Sequence, residues 1–310
     1  MFKNICLLLI VSAILYLLTD PVLAIEQKTP VTVKAEHPLM QKFFSSDANN
    51  PHKTGVSSSM AFSDKCAFIF KDFVNDKGMV DYKQLKRKKL ELNKLFDDLR
   101  NFDPNEYKKW SKEDKMAFWI NVYNLEMLRI IVDNYPIEST RILRIIWPPD
   151  SIRHITGIWD QYKFIVMDEE FTLQEVDQRF FRGQFDEPRA FLALTYASQS
   201  SPPLRNEPYY GHKMNEQLND QVKKFLANPL AFKIDRETQK VYLSAIFGPS
   251  WYGQYFVNKY GTDKKFKDQQ PAVSAVLNFI TGYIPEPDIR YLETANYTVE
   301  FINYNWRLNE

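Results

Sequence analysis

The sequence predicts an α+β domain, rich in helix, folded around one buried central helix with a small and mostly antiparallel sheet. Segment 111–134 carries helix signals at both ends and is apolar on nearly every side, which is the mark of a helix inside a core. Segments 232–243 and 289–302 have the composition of hairpins, and helices and strands follow one another without the alternation of a doubly wound sheet. With 310 residues, 45% hydrophobic and 15% aromatic, the chain can bury a large core. Apolar periodicity hardly lapses from Ala61 to Leu308, without an internal repeat or a second linker, so residues 61–310 read as one domain.

Before that domain, Lys3 precedes an apolar run from Ile5 to Leu18, and Val22-Leu23-Ala24 supplies a cleavage site, the three-part form of a secretory signal peptide. The run is shorter than the roughly 20 apolar residues of a membrane-spanning helix and ends at Asp20-Pro21, so no membrane span is retained. Residues 1–24 are expected to be removed, leaving Ile25 first in a secreted or periplasmic protein. Removal of Cys6 would leave Cys66 as the single thiol and no intrachain disulfide. Residues 25–60, with Pro30, Pro38, Pro51 and Ser57-Ser58-Ser59, read as a flexible polar arm.

Within the domain, Lys86-Arg87-Lys88-Lys89 sits inside a helical pattern of Leu85, Leu90, Leu92 and Leu95, and reads as a solvated helix face. Ser111 can cap the central helix, Glu113 and Asp114 suit its positive end, and Tyr135-Pro136 stops it. A strand is expected over 162–167, then a capping box at Thr172-Leu173-Gln174-Glu175 opening a helix that Gly183 closes. Residues 190–196 suit a short buried strand, emptying into a loop at Ser198-Gln199-Ser200-Ser201-Pro202-Pro203. A helix through Met214, Leu218, Val222 and Phe225 follows, then the hairpin at 232–243, a helix over 272–283 and a second hairpin at 289–302.

Lys plus Arg (40) nearly balance Asp plus Glu (39) with no strongly basic stretch, so nucleic acid is not an expected partner. His37, His52, His154 and His212 are scattered singly, no paired-cysteine spacing occurs, and only 9 glycines are present. Neither a metal site nor a nucleotide cradle is expected, and no cofactor is implied. Asn296-Tyr297-Thr298 matches a glycosylation acceptor but falls in an expected strand, and would matter only in a eukaryotic secretory pathway.

Chemistry could sit in two places. Asn121 and Asn124 share a face of the central helix, while Trp119, Tyr123 and Glu126 share another. A buried amide left unpaired costs about 1 to 3 kcal/mol, so each Asn must bond neighbouring backbone or a ligand. The loop after 190–196 presents Ser198, Ser200 and Ser201, which are either turn residues or a nucleophile that would need His154 or His212 as base. No Gly-x-Ser-x-Gly elbow surrounds these serines.

Several segments in order resemble the family called domain of unknown function 547. They are Asp72-Phe73-Val74 through Gly78-Met79-Val80-Asp81-Tyr82, then Ala117-Phe118-Trp119-Ile120-Asn121-Val122-Tyr123-Asn124 and Ser198 through Ser201-Pro202-Pro203-Leu204. Leu243-Ser244 through Phe247, Trp251-Tyr252 and Asn303-Tyr304-Asn305-Trp306 complete the series. The resemblance implies a widespread domain, often exported in bacteria, without an established reaction. Its pattern carries a His on the strand, a Cys in the Ser-Cys-Pro loop and a second His on the preceding helix. Those groups would suit cysteine-nucleophile chemistry on a scaffold distantly similar to papain-like or transglutaminase-like enzymes. In this sequence Phe191, Ser201 and Gln178 stand at the three positions.

The sequence therefore points first to a non-catalytic binding or scaffold domain. Its cleft for an extracytoplasmic peptide, glycan or protein would be rimmed by Trp119, Asn121, Tyr123, Asn124, Ser198, Ser200, Ser201, Trp251 and Tyr252. The alternative is a hydrolase or acyltransferase using Ser201 or Ser200 with His154 or His212.

Overall fold

The computed structural model describes residues 58–139, 143–262 and 264–310. The segment expected to be a signal peptide and the part of the expected arm up to residue 57, with Cys6, His37 and His52, lie outside them. Helix α1 (Ser58–Phe73) starts inside the stretch assigned to the arm. The serines there have structural work: Trp110 Nε1 donates to Ser58 Oγ at 3.0 Å, and Ser59 Oγ donates to Asp114 Oδ1 at 3.0 Å.

Helices α2 (Tyr82–Arg87), α3 (Lys89–Arg100) and α4 (Pro104–Lys108) lead to α5 (Lys112–Asn134), which packs against α1, α2 and α3. Ser111 Oγ accepts the Asp114 N–H at 3.0 Å, and Tyr135 leaves the helix in an extended conformation before Pro136. Between these ends Trp119, Ile120, Asn121, Val122, Leu125 and Glu126 are sealed from solvent.

The Lys-rich pattern around residue 88 is two helices rather than one. The break at Lys88 lets Leu92, Leu95, Phe96 and Leu99 recur at helical spacing toward the core, and Leu90 points outward, 76% exposed. Lys86, Arg87 and Lys88 are exposed.

Glu126 is the one wholly buried carboxylate of α5, gripped by Arg129 Nε and Nη2 at 2.7 and 2.8 Å. Burial pushes its carboxyl from 4.5 up to about 7, outweighing the guanidinium that favours the charge. Because the folded value lies above the unfolded one, this group's contribution to stability is full below about pH 4.5 and is lost as pH rises through about 7. The expected result is that Glu126→Gln gains on the parent, by on the order of 2 kcal/mol, between about pH 5 and about pH 8. Urea unfolding of both proteins across that range measures it. A constant difference would mean the carboxylate stays ionised throughout.

After α5, β1 (Phe164–Val166) and β2 (Glu169–Phe171) form a hairpin around Met167 and Asp168, both with positive φ. The capping box at Thr172 and Glu175 opens α6 (Leu173–Val176), which runs into a π-helical turn, Asp177–Phe181. A Cβ on Gly183 would meet the Arg179 carbonyl at 2.8 Å, so the chain can turn closely here only with glycine.

Helix α7 (Met214–Leu226) precedes β3 (Phe232–Asp235) and β4 (Lys240–Ser244), paired antiparallel from Phe232↔Leu243 to Asp235↔Lys240. Helices α8 (Gly253–Tyr260), α9 (Pro271–Ile280) and α10 (Glu286–Thr294) lead to β5 (Thr298–Ile302), which lies parallel to β4. The fold is thus a helix-rich α+β domain with small sheets, in which two of the three strand pairings are antiparallel.

Two expected elements are corrected. Segment 289–302 is helix then strand, because the acidic first turn Glu286 and Asp288 and the Pro at its start nucleate α10 through Thr294. Asn296 consequently sits in an exposed loop rather than in a strand. Segment 190–196 is buried as expected, but it is no strand: residues Pro188–Leu192 form a 3₁₀ helix. Pro188 fixes the first φ, the Glu187 side chain caps the Arg189 N–H at 3.2 Å, and the following backbone bonds to a side chain of α5.

Candidate functional site

The candidate residues divide into two groups inside the fold. Trp119, Asn121 and Asn124 are core. Asn121 Nδ2 donates to the Tyr209 carbonyl at 2.8 Å and to Ser63 Oγ at 3.2 Å, while Oδ1 accepts the Tyr209 N–H at 2.8 Å. Asn124 clamps the 3₁₀ segment likewise, donating to the Ala193 carbonyl at 3.0 Å and accepting the Thr195 N–H at 2.8 Å. Of the two partners these amides could have had, both use backbone, and neither faces a cleft. Trp119 Nε1 donates to Tyr107 Oη at 2.8 Å, and its ring stacks on Phe180 at 3.9 Å.

Tyr123, Ser198, Ser200, Ser201, Trp251 and Tyr252 do converge, around a loop sharpened by Ala197 at φ +47°. The segment 304–309 lies along this loop. Gln199 N–H donates to the Arg307 carbonyl at 2.8 Å, Asn305 N–H to Ser200 Oγ at 2.9 Å, and Ser198 Oγ to Tyr304 Oη at 3.0 Å. Ser201 Oγ accepts the Tyr196 N–H at 2.8 Å and donates to the Pro202 carbonyl at 3.0 Å. All three serines are buried, so the loop is an interior seam rather than the rim of a cleft.

Beside the seam runs a polar chain that the sequence reading missed. Tyr196 and Tyr252 share a hydrogen bond of 2.7 Å, Tyr252 Oη reaches Asp177 Oδ1 at 3.5 Å, and Arg182 Nε donates to Asp177 Oδ2 at 2.7 Å. The π turn makes this possible, since the Arg182 N–H bonds the Asp177 carbonyl five residues back. Burial works against the Arg182 charge, and Asp177 overrides it, holding the guanidinium above its ordinary value. Burial pushes the phenols of Tyr123, Tyr196, Tyr252 and Tyr304 well up, with the Asp177 charge adding to it at Tyr252. These tyrosines are neutral at physiological pH and not bases.

Phe191 lies flat on Tyr252, ring centroids 4.0 Å apart and 12° from parallel, and the Arg182 guanidinium sits 4.6 Å from the centre of the same ring. Trp251 stacks on Tyr304 at 5.1 Å and on Trp306 at 5.9 Å. The seam is thereby packed with rings. Gln178, by contrast, is exposed, and its neighbour Asp177 is the residue that turns inward.

Neither candidate base reaches a serine. His154 Nε2 bonds the Pro148 carbonyl at 2.8 Å, and its buried Nδ1 has no partner among the described residues. His212 lines a separate surface cavity of about 330 Å³ with Asp64 and Tyr210. Among the described residues no group of three or more His, Cys, Asp or Glu could hold a metal ion. The Cys66 thiol is buried, and desolvation raises it well above its ordinary value, which leaves it unreactive. No helix of the described residues is long and apolar enough to cross a membrane.

These features define a class: a helix-rich α+β domain whose central helix clamps, with asparagine side chains, the buried backbone at Ala193–Thr195 and at Tyr209 on either side of the serine loop. Residues 107–226 match the model of the family described as Protein of unknown function, DUF547, and this match supports membership of that family. The match spans α4 to α7 and includes Phe118–Asn124 and Ser198–Leu204, but not the resembling segments at 72–82, 243–252 and 303–306. No curated protein matches the chain, and no solved structure does.

Proposed function

We propose that this chain is an exported, non-catalytic binding or scaffold domain whose partner is an extracytoplasmic peptide, glycan or protein. The observation that carries this reading is the Phe191 ring stacked on Tyr252, in the place where the family resemblance calls for an imidazole. Ser201 Oγ beside it spends its hydrogen on the Pro202 carbonyl and its acceptor on the Tyr196 N–H. A hydroxyl needs a base within about 3 Å to become a nucleophile, and neither histidine of the described residues bonds any of the three serines. Export is supported by the apolar run from Ile5 to Leu18 followed by Val22-Leu23-Ala24.

Treating the folded protein with a fluorophosphonate probe, beside Ser200→Ala and Ser201→Ala, tests the reading. The expected result is no stoichiometric labelling of any of the three. Labelling that Ser201→Ala abolishes would overturn the non-catalytic assignment and establish a serine hydrolase or acyltransferase.

A further inference from the structure

A groove of about 660 Å³ runs between α3 and the β1–β2 hairpin, away from the serine seam. On the α3 wall, Leu90 is 76% exposed. The other wall is the hairpin, which the turn at Met167 and Asp168, with both φ positive, closes with Val166↔Glu169 as a hydrogen-bonded pair. Pairs alternate along an antiparallel ladder, so Ile165, opposite Glu170, turns its N–H and C=O away from β2. On that outer edge Arg129 Nη2 donates to the Lys163 carbonyl at 3.4 Å, and the Met167 N–H donates to the Leu99 carbonyl at 2.9 Å. Between these two, the backbone pair of Ile165 has no partner among the described residues.

The charges of the groove are unequal. Lys94, Arg100, Arg129 and Lys163 face Asp97 and Glu170. Arg129 is held by Glu126 at 2.7 Å, and Lys163 by Glu170 at 2.6 Å. Lys94 and Arg100, both exposed, make no salt bridge among the described residues and outnumber Asp97.

We propose that the groove binds an extended acidic peptide segment of another protein, which lies along β1 and pairs with it at Ile165. Its backbone pairs with Ile165, its carboxylates meet Lys94 and Arg100, and an apolar side chain covers Leu90. This deepens the binding reading above and rests on it. The chain's own residues 25–57 are a poor occupant, since Lys28, Lys34, Lys42 and Lys53 outnumber Glu26, Glu36 and Asp47. A polyanionic glycan would satisfy the cations but leaves the Ile165 amide and carbonyl without a ladder.

The test is fluorescence anisotropy on the full chain with a labelled peptide of repeating Glu-Val. It is run beside repeating Lys-Val, a Glu-Val peptide N-methylated on alternate residues, and heparin. The Glu-Val peptide is expected to bind, about tenfold or more tighter than the Lys-Val and N-methylated peptides, and more weakly as salt rises. Lys94→Glu with Arg100→Glu should lower its affinity by about tenfold or more, while the urea midpoint of these surface changes stays put. Indifference to N-methylation, or heparin as the stronger ligand, overturns the proposal in favour of a polyanion site. Binding that the double variant leaves intact overturns the groove assignment but spares the binding reading, and no binding by any peptide overturns the proposal outright. Failure of the binding reading itself has a separate signature, the Ser201-dependent labelling described above.

Discussion

Trp119→Ala is expected to lower unfolding stability by about 3 to 5 kcal/mol, the range for a large aromatic removed from a packed core. The indole is wholly buried and touches Phe118, Phe171, Phe180 and Tyr107, rings contributed by α4, α5, β2 and the π turn. Removing it opens a cavity where those elements meet and leaves Tyr107 Oη without its donor at 2.8 Å. Relaxation of any one wall is opposed by the others. Urea unfolding followed by circular dichroism gives the number, and a midpoint that barely moved would place the core elsewhere. Trp119→Phe, which keeps a ring but not the indole N–H, should recover a large part of the loss.

Asn124→Ala should cost about 2 to 4 kcal/mol for a different reason. The side chain removed is small, but it leaves the Thr195 N–H and the Ala193 C=O buried without partners. Water cannot replace the amide where Asn124, Ala193 and Thr195 are each at most 4% exposed. Asn124→Asp is informative beside it, since a carboxylate still accepts from Thr195 but faces the Ala193 carbonyl with like polarity. We expect the Asp variant to be no more stable than Ala, whereas a side chain that merely filled space would be replaced by Asp without loss. Hydrogen exchange at the Thr195 amide should rise sharply in the Ala variant.

The sequence disclosed the parts of this molecule that are governed by local rules. Ser111, the Thr172-Glu175 box and Tyr135-Pro136 set helix ends within a few residues of each other in the chain, and all three stand where the local chemistry places them. The hairpin at 232–243 and the helix at Met214 follow from periodicity of 2 and 3.6. What remained hidden is non-local. Segment 190–196 has the apolar composition of a buried strand, and only the Asn124 amide, some seventy residues back in the chain, explains why its backbone can be buried without a neighbouring strand.

At the candidate site the same division holds. Ser198, Ser201, Trp251 and Tyr252 were legible as a group, because the ordered motifs pointed to them. Asp177 and Arg182 were not, since a spacing of five matches neither helical neighbour rule and becomes a contact only in a π turn. Nor could Gln178 be read as outward-facing, because the same turn decides which of two adjacent residues looks inward.

The tail of the domain carries a consequence for the order in which the chain can mature. Asn309 is buried among residues from the far end of the fold: its Nδ2 donates to the Gly78 carbonyl, its carbonyl accepts the Val80 N–H, and its Oδ1 accepts from Tyr82 Oη. The same tail closes the serine loop through Asn305 and Arg307. During synthesis, then, the first helices leave the ribosome with these polar groups unmatched and wait for more than two hundred residues to follow them. A domain fastened in this way resists settling piece by piece, since Gly78, Val80 and Tyr82 gain these partners only once Asn309 has been made.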